Sequence, residues 1–353
     1  EKKKYDKHTC FKNWTNTMPI GVFIHTLRFV YQLLMNSDGT LNKYKVRIVF
    51  RGFTQIFGRD FIETYAPVTQ LISLKLFAVM CLYWELEYYN LDCTSAFHQP
   101  DIEKDFEMWA QFPEGVTFNG CKYVQLSHAV PGTKQSALLW YLMLTRALTD
   151  YGFVRSDVEP CRFLLKTQEV TCMFLVHVDN IACGVSDKAW LDNFIKEIRP
   201  TRLIIEYVTE QHSMLGIVVE RVDRFTFSLS QKFYIESLLD EYKLQDTAPT
   251  KVPIQKGIDN RFNPETMSRK VDKNIPFRRL VMQLYWLARC YFYRILFACC
   301  FFAGFNNCYD AELFEELKKV LFYVKGHIDF KQVYCVKPGS KLELTFVCDA
   351  DYS

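Results

Sequence analysis

The chain is 353 residues long, with 49% hydrophobic and 24% charged residues. Single cores stop growing near roughly 250 to 300 residues, so this length holds about two or three domains, and the balance excludes wholesale disorder, collagen and coiled coil. Forty-three Lys and Arg against 40 Asp and Glu give a net charge of +3, which argues neither for nor against a polyanionic partner, because a groove can be basic while the whole is nearly neutral.

The N-terminus, Glu1-Lys2-Lys3-Lys4, lacks an apolar signal core and does not begin with Met, so it reads as a fragment of a longer product. Residues 28–34 and 43–51 are rich in β-formers around Asn36-Ser37-Asp38-Gly39-Thr40. This predicts a hairpin turned at Asp-Gly, its second strand carrying Lys43, Lys45, Arg47 and Arg51. A basic ribbon and an ordinary solvated face fit that segment equally. From 71 to 86 the apolar positions recur at helical spacing, and a strand follows with Asp92 at its end. A second amphipathic helix is expected over 136–151, after Gly132-Thr133-Lys134-Gln135.

Residues 161–185 give two apolar β runs parted at 166–169, and the second contains His177-Val178-Asp179-Asn180. A carboxylate in so apolar a run needs a cation, a proton or water; the plain alternative is a tight Asp-Asn turn. Residues 213–219 and 225–229 suggest a further hairpin, with Ser230 capping a helix through 242. A linker is expected at 247–264, placing a boundary near 250–275. Helices follow at about 276–304 and 309–326, then a strand at 342–351. Arg289 and Arg294 interrupt 281–305, and each would cost roughly 2.5 to 3.5 kcal/mol in a bilayer, so a buried helix is expected there. The 13 Cys include no C-x-x-C pair and lie in apolar stretches, which favours reduced core thiols in an intracellular compartment.

Two acids at the ends of separate apolar strands, downstream of a basic ribbon, are parts that two-metal phosphoryl transfer requires. Its two cations sit roughly 3.5 to 4 Å apart, and hard carboxylate oxygens suit Mg²⁺. Several runs make this specific: Lys43-Tyr44-Lys45-Val46-Arg47-Ile48-Val49, Arg51-Gly52-Phe53-Thr54-Gln55, Glu63-Thr64-Tyr65-Ala66-Pro67-Val68, Asp92 to Phe97, Pro113-Glu114-Gly115, Gly132 to Ser136 with Trp140-Tyr141, Leu215-Gly216 and Leu229-Ser230-Gln231. In order and spacing, from about residue 28 to the C-terminus, the chain resembles the copia-type retrotransposon reverse transcriptase of Pol polyproteins.

The resemblance implies an α+β right-hand polymerase of fingers, palm and thumb. Its antiparallel palm sheet is backed by helices and followed by a helical connection region and the start of a ribonuclease H-like domain. The implied division is an extension over 1–27, fingers and palm with primer grip over 28–250, a linker over 251–275, thumb or connection over 276–335, and a truncated ribonuclease H start over 336–353. It implies RNA-directed DNA polymerase activity with two Mg²⁺, or Mn²⁺, on an RNA template, a DNA primer, their RNA–DNA hybrid and deoxynucleoside triphosphates, in a cytoplasmic particle or the nucleus and without a membrane. Asp92 and Asp179 would be the metal ligands. Phe97 would exclude a 2′-hydroxyl, and Arg47 would grip the triphosphate with its bidentate fork. Lys134 and Gln135 would lie against template and nucleotide, Leu215-Gly216 would form the primer grip, and Asp349 would be the first ligand of the ribonuclease H remnant.

The pattern is broken where the family has a second acid and this chain has Asn180. A unit charge pair at about 4 Å and an effective dielectric near 20 is worth about 4 kcal/mol, and about 1.4 kcal/mol is a factor of ten in rate, so impaired polymerisation is expected. His177 replaces Tyr and would put a cation beside the metals. Gln32, Leu34 and Glu206 fall where the family has lysines, Pro131 stands for an aromatic, and Cys290-Tyr291-Phe292-Tyr293 replaces Thr-Arg-Pro-Asp. A catalytically dead nucleic-acid-binding relic or pseudogene product is the alternative.

Overall fold

The computed structural model describes residues 10–35, 41–103, 105–117, 120–208, 213–267, 271–337, 339–343 and 345. Backbone contacts divide the chain into two compact units, one spanning 1–73 and 86–209, the other 74–85 and 210–353.

In chain order the elements up to residue 209 are β1 (Phe11–Thr15), β2 (Ile24–Met35), β3 (Leu41–Phe50), α1 (Leu71–Tyr83), most of which belongs to the second unit, β4 (Glu87–Cys93), β5 (Trp109–Gln111), β6 (Tyr123–Leu126), α2 (Ser136–Tyr151), β7 (Val154–Arg155), β8 (Arg162–Lys166), β9 (Thr171–His177), β10 (Asn180–Val185), α3 (Lys188–Glu197) and β11 (Ile205–Tyr207). One sheet runs β1-β6-β5-β2-β3, the other β11-β4-β10-β9-β8-β7. The expected ribbon is β2 paired antiparallel with β3, Val30 opposite Arg47 and Gln32 opposite Lys45. Its turn, 36–40, lies outside the described residues.

In the second sheet every pair is antiparallel. Alternation sends Leu91, Cys93, Ile181, Cys183 and Ile205 to one face, where α2 and α3 cover them with Trp140, Leu144, Leu148, Leu191 and Phe194. Phe153 stacks on Phe174 at 4.9 Å between ring centres, and burying each such ring is worth roughly 1.5 to 3 kcal/mol. Helix α2 has the predicted bounds, and it stops at Gly152, whose φ of 115° suits a residue without a Cβ. Helix α3 starts at Asp187, whose carboxylate accepts from Ala189 N at 2.8 Å.

Two backbones cross where the loop before α2 meets the end of β3. Phe50 N donates to Pro131 O at 2.8 Å. A Cβ on Gly132, whose φ is +97°, would collide with Phe50 O and the Val49 side chain, and a Cβ on Gly52 would collide with Gly132 O. Both positions therefore require glycine.

The second unit holds β12 (Ser213–Met214), β13 (Ile217–Asp223), β14 (Thr226–Ser230), α4 (Lys232–Glu241), α5 (Ile258–Arg261), α6 (Phe277–Cys290), α7 (Leu296–Ala303), α8 (Ala311–Lys325) and β15 (Gln332–Cys335). Its sheet runs β12-β13-β14-β15. Ser230 does not cap α4: it is spent in the ladder opposite Val218, and Gln231 takes the cap position, its side chain turned to Gly216 O at 3.0 Å.

The segment read as a linker lies within this unit and carries α5, where Arg261 binds Glu312 and Glu316, each at 2.9 Å. The single helix expected over 276–304 is two, parted at Tyr291–Ile295, because Tyr291 and Phe292 turn inward to pack on Phe330. Among the described residues no helix is long and apolar enough to cross a membrane. Of the strand expected at 342–351, the described residues 342, 343 and 345 have no regular structure, and Asp349 lies outside the described residues. Most cysteines of the described residues are buried.

Candidate active site

β4 lies between β10 and β11, so Asp92 stands opposite Asn180 on one side and Glu206 on the other. His177 faces Asn180 across the β9–β10 hairpin. Residues directly opposite share a face; His177, Asn180, Asp92 and Glu206 thus form one row across four strands, on the face away from the α2 and α3 core. All four are half-buried.

Val178 and Asp179 are the two-residue turn of that hairpin. The turn reading of Asp179 holds, and the turn brings the Asp179 backbone to the end of β4, where Cys93 N donates to Asp179 O at 2.7 Å. Val178 has φ of +59°, a left-handed conformation that costs a β-branched residue roughly 1 to 3 kcal/mol. Its carbonyl accepts from Trp140 Nε1 at 2.8 Å.

The row is electronegative. Burial pushes the Cys93 thiol well above its ordinary range, and the carboxylates of Asp92 and Asp179 push it further. Burial holds His177 below its usual value against the upward pull of Asp179, so the expected cation there is a neutral imidazole near neutral pH. Asn180 Nδ2 reaches Asp179 Oδ1 at 3.5 Å, and the Thr94 hydroxyl donates to Glu206 Oε2 at 3.1 Å.

Asp92 on β4 and Asp179 in the β9–β10 turn offer hard carboxylate oxygens of the kind that suit a divalent ion, with water and phosphate oxygens for its other positions. Among the described residues no three His, Cys, Asp or Glu side chains converge to hold a metal ion.

The other expected residues are distributed as follows. Arg47 is exposed on β3, its Nη1 donating to Gln32 Oε1 at 3.1 Å. Phe97 is half-buried in the turn after β4, packed against the core of the second sheet. Lys134 is exposed, with its ammonium 4.7 Å from the Phe61 ring centre and its backbone N–H on Gln55. Gln135 is fully buried: its Nε2 donates to Asp60 O at 2.9 Å, and its Oε1 accepts from Gln55 Nε2 at 3.0 Å. Around it lies a polar network that sequence reasoning missed, in which Arg59 pairs with Asp60 at 2.6 Å and His25 Nδ1 meets the Thr54 hydroxyl at 2.7 Å. Leu215 and Gly216 belong to the second unit and form the β12–β13 turn, both with positive φ, as a tight antiparallel hairpin requires.

The profile of the reverse transcriptase (RNA-dependent DNA polymerase) family matches residues 5–256. The chain is 30% identical over 341 residues to the retrovirus-related Pol polyprotein from transposon RE1 of Arabidopsis thaliana, covering 95% of this chain and 22% of the relative. It is 28% identical to the Pol polyprotein from transposon RE2 of the same plant, with 95% of this chain and 22% of the relative covered. Against the Pol polyprotein from transposon TNT 1-94 of Nicotiana tabacum it is 25% identical, with 85% and 23% covered. The chain belongs to the reverse transcriptase family, in its copia-type retrotransposon branch. It spans about a fifth of the length of these curated relatives.

Proposed function

We propose that this chain is the polymerase portion of a copia-type Pol polyprotein. It extends a DNA primer on an RNA template with deoxynucleoside triphosphates, by two-metal nucleotidyl transfer weakened at Asn180. The observation that carries the reading is the pairing of Asp92 with Asn180 beside the turn bearing Asp179.

In this reading the ribbon sheet is the fingers, the all-antiparallel sheet with α2 and α3 the palm, and the second unit the thumb and connection, leading into a ribonuclease H-like start at Asp349. Asp92 and Asp179 hold the divalent cations. Bound Mg²⁺ or Mn²⁺ supplies charge neutralisation at the transferring phosphoryl group and acidifies the attacking hydroxyl. Arg47 grips the triphosphate, Phe97 closes the space a 2′-hydroxyl would need, and Lys134 neutralises template phosphate. Gln135 serves the template indirectly, by holding the shelf of Gln55 and Asp60. Leu215 and Gly216 position the primer end. A cytoplasmic particle or the nucleus is the setting.

Asn180 favours one second reading, a nucleic-acid-binding relic without catalysis. Primer extension on an RNA template with Mg²⁺ or Mn²⁺ separates the two. Incorporation that disappears in Asp92→Asn supports the polymerase, whereas salt-dependent binding of an RNA–DNA hybrid with no incorporation supports the relic.

A further inference from the structure

Beside α2 the first unit holds a cavity of about 430 Å³, within the range of ordinary small-molecule sites, roughly 300 to 1,000 Å³. It is lined by the apolar Leu139, Leu142, Met143 and Ala147 of α2 and by Gln99, which follows the turn after β4. Helix α2 packs on the face of the sheet opposite the row of Asp92 and Asn180, so this cavity is separate from the candidate active site. Two ion pairs border it, Arg202 with Asp101 at 3.0 Å and Arg146 with Asp150 at 3.6 Å. Each of these cations already has its acid, so the cavity favours a neutral guest.

Gln99 says what that guest must carry. It is fully buried, and its Nε2 donates to Thr94 O at 2.6 Å, which fixes the way its amide is turned. Its Oε1 has no hydrogen-bond partner among the described residues. A buried carbonyl left without a donor is costly, and it can only accept, so the guest must bring an N–H or an O–H. A flat ring suits a wall containing Met143, whose unbranched thioether adapts its shape and packs well on aromatic edges. Such a ring also loses little conformational freedom on binding. We propose that this cavity binds a neutral aromatic molecule of one or two fused rings, whose ring N–H or hydroxyl donates to Gln99 Oε1. The inference does not rest on the polymerase reading.

The test is saturation-transfer NMR on the whole chain, titrated for affinity, with indole and its isostere benzothiophene, which has sulfur in place of the N–H. Because Gln99 also holds Thr94, the acceptor is probed by changing the guest and leaving the residue alone. Indole is expected to bind, and benzothiophene to bind at least about tenfold more weakly although it is the more apolar of the two. Leu142 lines the cavity yet is largely exposed, so Leu142→Trp fills the space without disturbing the core, which circular dichroism checks, and is expected to abolish indole binding. Equal affinities for the two guests overturn the role of Gln99 and the proposal with it. Indole binding unchanged in Leu142→Trp, or no indole binding to the parent chain, overturns the site itself.

Discussion

The indole N–H of Trp140 donates to the carbonyl of Val178 at 2.8 Å, joining α2 to the turn that carries Asp179. Trp140 is buried and Val178 sits at φ +59°. The helix therefore holds a strained backbone in place, and the adjacent carboxylate inherits its position.

Trp140→Phe keeps an aromatic ring but removes the N–H donor together with part of the buried indole. Leaving a buried carbonyl without its partner costs roughly 1 to 3 kcal/mol. Urea unfolding should show that loss. Primer extension should lose turnover more than nucleotide affinity, because Asp179 is displaced while the triphosphate contacts remain. Full stability and full turnover in this variant would discard the positioning role.

Asn180→Asp restores a carboxylate to the row opposite Asp92. With about 1.4 kcal/mol per factor of ten, a recovered charge interaction of even half the roughly 4 kcal/mol expected near a partly exposed pair raises extension by more than tenfold. Primer-extension rates with Mg²⁺ and with Mn²⁺ check this, and equal rates before and after the change would remove Asn180 as the weak point.

Gln135→Ala tests whether that residue acts on substrate or on the protein. Its side chain is fully buried on Asp60 and Gln55. The expected result is a loss of roughly 1 to 3 kcal/mol in unfolding free energy. A variant of undiminished stability whose template affinity alone falls would favour direct contact instead.

The His25 network gives an acid dependence. Burial lowers the pKa of His25, outweighing the upward pull of Asp60. Burial alone would raise Asp60, but hydrogen bonds from Arg59 and Ile56 N and the nearby His25 leave it below its ordinary value. Both groups have depressed folded values, so the unfolded chain takes up protons first as pH falls. The His25 contribution is complete above its unfolded value near about 6.5 and is lost as pH drops toward the folded one; that of Asp60 follows from about 3.9 downward. Urea midpoints should fall as pH drops below about 6.5, and His25→Gln should flatten that fall. An identical slope in the variant would acquit His25.

Much of this was legible in the residues. The apolar period of 136–151 set the bounds of α2, and the β-rich runs around 36–40 set the ribbon. Asp92 and Asp179 stood out because carboxylates at the ends of apolar runs need a partner. Other features depend on partners remote in the chain. Glu206 lies on a three-residue strand whose register with β4 no local pattern fixes. Gln135 looks like a substrate contact until Gln55 and Asp60 close over it. The break at Tyr291–Ile295 comes from Phe330, which lies beyond the helical pattern itself.

The crossing at Gly52 and Gly132 carries a lesson about descent. Gly132 O blocks a Cβ on Gly52, and Phe50 O blocks one on Gly132, so neither site tolerates a side chain, whatever becomes of catalysis. The presence of Gly132-Thr133-Lys134-Gln135 therefore reports on the ability to fold and is silent on turnover. Selection for activity is better sought at exposed positions with room to vary, such as Arg47 beside Gln32 and Lys134 beside Gln55 and Phe61.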